Sequence, residues 1–325
     1  MKNDDTMKVV GLRRHGGPEV LEVLDRPTPH AGPGEVRIRV RATVVNPGDT
    51  LIRAGLTPIR QQGADPVIPG HEIAGTIDEI GPGAATELSI GDQVMAMVNP
   101  MRPAGGSYAG WVVLPEPAVV PVPTGASLAE AATLPMNGLT ALHALDNLNL
   151  APRGTVAVTG AAGAVGGYAV QLARAAGHRV LADAAPRDVD LVTALGADVV
   201  VARGADVADR FREHAPDGVD AVVDAAIIGA PLLPAIRHGG RLAYVRGMPD
   251  QAEFEQAAER HGVTPVHAYV YQYENRRDKL ELLRQLATEG RLSLRVAETF
   301  PPEQAYRAHR LLEAGGIRGR LVIEF

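Results

Sequence analysis

The sequence predicts an α/β protein in which an all-β, barrel-like domain is followed by a doubly wound parallel sheet. The first observation is that 15 of the 25 prolines lie before residue 126, where they bound short segments. One of these, Val36-Arg-Ile-Arg-Val-Arg41, alternates apolar and charged residues with the period of two that half-buried antiparallel strands show. The second observation is that apolar, strand-like segments beyond Ala126 are separated by stretches long enough for helical crossovers.

The elements of the predicted parallel sheet follow in order along the chain. Ser127 is placed as the N-cap of an alanine-rich helix over 128–134, and an apolar helical segment follows at 139–145. Five strands are then predicted, at 155–159, 179–182, 198–201, 220–224 and 241–245.

The C-terminal tail contains an alternating strand at 266–271, a charged helix at 276–287 and a last strand at 319–325. We expect the last strand to return to the first domain, which would make that domain discontinuous in sequence. The predicted domains are therefore 1–125, completed by about 263–325, and 126–262.

Length and composition exclude several classes of function. With 325 residues and 46% apolar content, the chain can bury a sizeable core in two domains. The net charge of −6, the pI near 5.9 and the lack of a basic run argue against nucleic acid and anionic membranes as partners. No apolar run approaches the roughly 20 residues that span a bilayer, and residues 1–5 are polar rather than signal-like, so we expect a cytoplasmic protein.

A glycine-rich turn is the strongest functional motif. It reads Thr155-Val-Ala-Val-Thr-Gly-Ala-Ala-Gly-Ala-Val-Gly-Gly167, so a β-branched strand enters a turn that leads into a helix. This context predicts a site for the pyrophosphate of a dinucleotide, in which Gly163 allows close approach of the backbone and Gly166 allows close packing of the helix. The alternative is an ordinary strand-to-helix loop, because Ala161 replaces the first glycine of the G-x-G-x-x-G pattern and Gly160 precedes it.

Seven segments resemble the medium-chain dehydrogenase/reductase superfamily, and within it the zinc-free, ζ-crystallin-like quinone oxidoreductases. They are Asn46-Pro-Gly-Asp49, Pro69-Gly-His-Glu-Ile-Ala-Gly75, Gly91-Asp-Gln-Val94, Leu134-Pro-Met-Asn-Gly-Leu-Thr-Ala141, the turn from Ala161 to Gly166, Leu195-Gly-Ala-Asp198 and Gly239-Gly-Arg-Leu242. The resemblance implies a GroES-like β-barrel domain carrying the substrate site and a Rossmann domain binding NADP(H). It also implies an active cleft between the two domains.

The zinc alcohol dehydrogenases of the same superfamily are the nearest competing class. The segment Gly70-His71-Glu72 resembles the one that supplies their histidine ligand, but Asn46 stands where they place a first cysteine. The chain has no cysteine, which excludes disulfides, a cysteine nucleophile and any thiolate-ligated metal. Catalytic zinc needs about three positioned protein ligands. We therefore predict no zinc and expect His71 and Glu72 to hydrogen-bond within the barrel or line the cleft.

The resemblance implies that a nicotinamide supplies hydride, while the protein orients it and stabilises charge on the acceptor oxygen. A quinone suits a metal-free site because its reduction gives a phenolate-like anion whose conjugate acid has a pKa of about 10. Asn46 is the first candidate to polarise the acceptor or position the nicotinamide ribose; otherwise it forms an asparagine–proline turn in which its side chain bonds its own backbone. Asp49 is the other candidate catalytic residue, or it anchors the loop. Leu51 stands where many relatives have a tyrosine donor. Tyr108 is either a substitute donor or a buried barrel aromatic.

The choice of cofactor depends on the end of the second predicted strand. Counting about 20 residues from the turn reaches Asp183, an acid that would bind the ribose hydroxyls of NAD. Alignment with the resembled family shifts the critical position to Ala184, so that the alternating side chain of Asp183 points elsewhere. Arg187 and Arg203 would then bind a 2′-phosphate, which favours NADPH over NADH. Each arginine is otherwise a solvated surface residue.

The remaining cofactor residues are expected at the turn and at the ends of later strands, where open α/β sheets bind ligands. Each of those beyond the turn is otherwise a strand-end or helix-packing residue. The predicted contacts are Thr140, Ala162, Gly163, Ala164, Val165, Gly166, Ala225, Arg246, Gly247 and Met248.

The leading hypothesis is an NADPH-dependent reductase of quinones or activated enones. An enoyl-thioester or biosynthetic tailoring reductase is the second, and a non-catalytic NADPH-binding sensor or structural protein is the third. We also expect a homodimer, because the strand at 266–271 is suited to pair across a two-fold axis as it does in relatives.

Overall fold

The structure is a computed structural model that describes residues 6–57, 66–84 and 87–325. The polar start at 1–5, expected not to be a signal sequence, lies outside the described residues. Two compact units form: the first contains Met1–Met136, Tyr273–Thr288 and Leu294–Phe325, and the second contains Asn137–Gln272 and Glu289–Ser293. No helix in the described ranges is long and apolar enough to cross a membrane.

The strands are β1 (Thr6–Gly11), β2 (Glu22–Pro27), β3 (Glu35–Val44), β4 (Glu72–Ile80), β5 (Gln93–Met97), β6 (Trp111–Pro115), β7 (Val119–Pro121), β8 (Thr155–Thr159), β9 (Arg179–Ala184), β10 (Val199–Ala202), β11 (Val219–Asp224), β12 (Ile236–Tyr244), β13 (Thr264–His267), β14 (Val296–Phe300) and β15 (Arg320–Glu324). The α-helices are α1 (Pro47–Ala54), α2 (Leu128–Ala131), α3 (Pro135–Asp146), α4 (Ala164–Ala175), α5 (Val189–Ala194), α6 (Val207–His214), α7 (Gln251–Arg260), α8 (Arg277–Thr288) and α9 (Ala305–Ala314).

The first unit is built around β3, which pairs antiparallel with β4, β6 and β15. The predicted alternation in this strand is confirmed, because Val36, Ile38 and Val40 are buried while Arg39 and Arg41 are exposed. The seven-stranded sheet has the order β14-β15-β3-β4-β5-β7, with β6 also on β3, and β1 and β2 form a separate antiparallel pair. Pairing of β15 with β3 brings the end of the chain back to its first third.

The second unit is a six-stranded parallel sheet with the order β10-β9-β8-β11-β12-β13. The strand order reverses at β8, because β9 lies on one side of it and β11 on the other. This is the doubly wound order in which dinucleotides bind at the point of reversal. The predicted α/β fold class is confirmed.

Two predicted elements end three or four residues earlier in the structure than the sequence predicts. The strand expected at 266–271 occupies Thr264–His267 and belongs to the parallel sheet of the second unit. It ends early because the Ala268 N–H donates to the Tyr244 carbonyl and the Tyr269 N–H donates to the His267 carbonyl. Residues Val270–Tyr273 then form a 3₁₀ turn. The helix expected over 128–134 ends at Ala131, and α3 begins at Pro135, a residue that favours a helix start.

Candidate cofactor turn and buried polar site

The glycine-rich turn lies between β8 and α4, at the strand where the sheet order reverses. Gly160 follows β8 with a φ of +63°, a left-handed conformation that glycine adopts without steric cost. Gly163 is the N-cap of α4, and its N–H donates to the Gly160 carbonyl at 2.9 Å. The turn is therefore closed by its own backbone, and the first-turn amides of α4 lie at its end.

Gly166 is required by the close approach of α4 to the turn. A Cβ at this position would lie 2.3 Å from the Gly160 carbonyl oxygen and 2.7 Å from its carbon, which the backbone does not tolerate. Ala161 is fully buried at the position of the missing first glycine, and Gly160 supplies the left-handed residue instead. The departure from the glycine pattern therefore leaves the strand–turn–helix geometry intact.

Most of the other predicted cofactor residues of the second unit lie at or just after the ends of parallel strands, and so at the same edge of the sheet. The backbone of Ala225 lies beside Gly160, with its carbonyl carbon 3.3 Å from where a Gly160 Cβ would be. Ala184 is buried, and its carbonyl accepts from the Arg203 N–H at 3.0 Å. Arg187 and Arg203, which follow β9 and β10, are both exposed. The structure therefore brings two cationic side chains to the carboxyl ends of neighbouring strands.

The residues after β12 and in α3 complete the predicted set. Arg246 and Gly247 are exposed, and Met248 is buried against the core that contains Phe254. Thr140 is buried within α3, so its position indicates helix packing more directly than ligand contact.

A polar pair that the sequence reasoning missed fixes the loops after β8 and β11. The Thr159 hydroxyl donates to Asp224 at 2.7 Å, and the second Asp224 oxygen accepts from the Gly229 N–H at 2.8 Å. Both side chains are fully buried. The only signal in the sequence was a polar residue at the end of each apolar strand.

In the first unit, Asp49 is a fully buried acceptor that joins separate segments. One carboxylate oxygen accepts from the Gly70 N–H and lies 2.7 Å from His71 Nδ1, while the other accepts from the Asn46 N–H at 2.8 Å. Burial alone would raise the pKa of Asp49, but His71 and these hydrogen bonds outweigh burial and hold the pKa below its usual value. This geometry indicates the anchoring role that the sequence offered for Asp49.

Asn46 is nearly fully buried and is bound by protein atoms on both sides of its amide. Its nitrogen donates to Glu72 at 3.0 Å, and its oxygen accepts from Arg320 at 2.6 Å. The other Glu72 oxygen accepts from the Met136 N–H at 2.8 Å. Burial raises the pKa of Glu72, and the Arg320 guanidinium opposes this shift only in part.

Tyr108 is a buried barrel residue whose hydroxyl extends the hydrogen-bond network of Asp49. It donates to Asp49 at 3.3 Å and lies 3.0 Å from His309 Nε2. Arg53 lies 3.4 Å from the other His309 nitrogen and pairs with Glu313. Burial lowers the pKa of His309 to about 4, so its ring is neutral at pH 7. His309 was missed because it is far from the 46–49 motif in sequence, and Arg53, only four residues beyond Asp49, was missed because nothing local shows that its side chain is buried.

His71 and Glu72, the residues that resemble zinc ligands, both hydrogen-bond to other groups of the first unit. Across the described part of the chain, no group of three or more histidine, aspartate or glutamate side chains is arranged to hold a metal ion. His71 is directed through Nδ1 at Asp49, and Glu72 is bound to Asn46 and Met136.

Two family models match parts of this chain. The alcohol dehydrogenase GroES-like domain family matches residues 32–124, and the zinc-binding dehydrogenase family matches residues 195–323. The chain is 30% identical over 318 residues to the chloroplast envelope quinone oxidoreductase homolog of Arabidopsis thaliana, and the match covers 95% of each protein. It is 33% identical over 202 residues to trans-enoyl reductase tndF of Aspergillus flavipes, covering 58% of this chain and 57% of that protein.

A mycobacterial protein solved as a complex with NADPH superposes with a TM-score of 0.85 at 30% identity, covering 98% of this chain and all of that one. The chain therefore belongs to the medium-chain dehydrogenase/reductase superfamily. Within the superfamily it is an oxidoreductase of the quinone oxidoreductase-like kind.

Proposed function

We propose that this protein is an NADPH-dependent, zinc-independent reductase that delivers hydride to a quinone or an activated enone. The observation that carries the proposal is the charge arrangement beside the glycine turn. The Asp183 carboxylate is bound to turn amides, whereas Arg187 and Arg203 are exposed at the ends of the two neighbouring strands.

This arrangement fits a 2′-phosphorylated dinucleotide. The first-turn amides of Ala164, Val165 and Gly166 suit the pyrophosphate, because a helix N-terminus offers N–H groups without intrahelical partners. Guanidinium groups bind phosphate through paired, charge-assisted hydrogen bonds. The aligned position at the end of β9 is Ala184, so this position lacks the acidic side chain that would favour NADH.

The acceptor chemistry follows from what the chain contains. A bound nicotinamide supplies the hydride, and the reduced quinone is a weak enough base for water to complete its protonation. Asn46 and Asp49 are our candidates for the acceptor site. Their hydrogen bonds to protein partners favour a role in positioning the 46–49 segment over direct contact with the acceptor. The absence of cysteine supports zinc independence, although one matching family is named for zinc.

Enoyl reduction is the second candidate, and the match to trans-enoyl reductase tndF favours it. Hydride delivery to an activated C=C uses a similar arrangement of donor and acceptor. Leu51, in place of a tyrosine donor, argues modestly against this candidate.

Steady-state turnover distinguishes the candidates. We expect the purified protein to oxidise NADPH with 9,10-phenanthrenequinone, to be inactive with crotonyl-thioester and to keep its rate after dialysis against a chelator. Turnover of crotonyl-thioester alone would favour the enoyl reductase. Stoichiometric zinc whose removal abolishes turnover would contradict zinc independence.

A further inference from the structure

Asp183 is a buried acid to which the proposed chemistry gives no role. It lies in β9, one residue before the end of the strand, and is only 4% exposed. One carboxylate oxygen accepts from the Gly160 N–H at 2.7 Å and lies 3.5 Å from the Ala161 nitrogen. Counting about 20 residues from the glycine turn would make Asp183 the acid that binds the ribose hydroxyls. In the structure it binds the backbone of the glycine turn instead.

The groups around Asp183 compensate for the burial of its carboxylate and so support its contact with the turn. Burial raises the pKa of the carboxyl, the two amides and Arg203 oppose that shift, and the nearby Asp224 adds to it. Asp224 is itself bound to Thr159 and Gly229, so its carboxylate is fixed at the end of β11. A buried carboxylate is stable in such a place only when hydrogen bonds and a cation compensate for lost hydration.

We infer that Asp183 is a positioning residue of the cofactor turn and does not select between the two dinucleotides. By accepting from Gly160 and Ala161, it takes the first amides of the turn and holds them away from the ligand. The first-turn amides of α4 then remain for the pyrophosphate. The inference rests on the proposed function, because it requires a dinucleotide at this turn.

The two possible roles of Asp183 predict different binding patterns. A ribose-binding acid contributes to the affinity for NADH and opposes a 2′-phosphate, so its removal changes the ratio of the two affinities. A residue that orients the turn affects the pyrophosphate, which both dinucleotides share. Its removal therefore changes both affinities by the same factor and leaves the ratio unchanged.

The test measures the dissociation constants of NADPH and NADH by nucleotide fluorescence for the wild type, Asp183→Ala and Asp183→Asn. Asp190→Ala, an exposed aspartate at the start of α5, is the matched control. We expect Asp183→Ala to weaken both dinucleotides by about 10-fold, the loss of a charge-assisted hydrogen bond, with a ratio constant to within about 2-fold. We expect Asp183→Asn, which keeps an acceptor oxygen, to stay within about 3-fold of the wild type for both.

Selective loss of NADH affinity in either variant would overturn the inference, as would unchanged affinity for both dinucleotides in Asp183→Ala. If Asp183→Ala does not fold, the ratio measured for Asp183→Asn decides the question. Failure of the wild type to bind either dinucleotide would instead contradict the proposed function, so the two failures are distinguishable.

Discussion

At the residue scale, the first unit depends on buried carboxylates that accept several hydrogen bonds at once. Asp49 accepts from backbone or side chains of Asn46, Gly70, His71 and Tyr108. A buried donor that loses its acceptor costs free energy comparable to its full desolvation. Asp49 therefore ties the start of α1 to the Gly70–His71 segment and to Tyr108.

Asp49→Asn is expected to lower the free energy of unfolding by about 2–4 kcal/mol, because an amide cannot accept from all of these donors. The lowered pKa of Asp49 sets the pH dependence: its contribution is full above the ordinary value of 3.8 and is lost as pH falls through the lower folded-state value. Urea unfolding at pH 7 and at pH 3 measures both effects, with the exposed Asp209→Asn as control. Equal stability of Asp49→Asn and wild type at pH 7 would contradict this account.

The proposed cofactor preference is also a residue-scale property. Ala184→Asp combined with Arg187→Ala is expected to shift the ratio of kcat/KM from NADPH toward NADH, because it adds a ribose acceptor and removes a phosphate donor. Arg212→Ala, an exposed arginine in α6, is the control for loss of one surface cation. An unchanged preference in the double variant would discredit the assignment of these positions.

At the scale of elements, the β8–turn–α4 segment is constrained by backbone packing. Gly166→Ala is expected to destabilise the protein by about 1–3 kcal/mol and to weaken NADPH binding, because the added carbon clashes with the Gly160 carbonyl. Gly110→Ala is the steric control, since a Cβ there would lie 3.4 Å or more from its nearest heavy atoms and Gly110 is not a predicted cofactor contact. Thermal unfolding and fluorescence titration measure the two effects. Wild-type stability of Gly166→Ala would show that the turn is looser than its geometry indicates.

Elements with strong local patterns could be predicted from the sequence, and elements whose ends depend on distant pairing could not. The strand at 155–159 was predicted with its observed bounds because an apolar run and a glycine turn define it. In contrast, β12 begins at Ile236, five residues before the predicted strand, since that end pairs with β11. The alternating aromatic residues predicted a strand that continues to Tyr271, but a turn ends β13 at His267.

The same distinction applies to the candidate sites. The glycine turn is a local motif and was found directly. The bonds of Asn46 to Glu72 and Arg320 join residues 26 and 274 positions apart, so no local pattern predicts them. The direction of Asp183 was expected from strand alternation, but its bonds to the turn required coordinates.

At the scale of the whole molecule, we propose a homodimer formed through β13, which lies at the outer edge of the six-stranded sheet. An edge strand exposes backbone groups that can pair with a second copy. Light scattering at micromolar concentration is expected to give the mass of two chains. A single-chain mass would contradict this proposal.

The central claim is that a reduced nicotinamide dinucleotide binds at the turn between Gly160 and Gly166 and that no metal is needed. Titration of the metal-stripped protein with NADPH and NADH, followed by nucleotide fluorescence, tests it most directly. We predict saturable binding of both, with NADPH the tighter ligand and with binding weakened in Gly166→Ala. The claim would be contradicted if the folded protein bound neither nucleotide, or if it bound them only after zinc was restored.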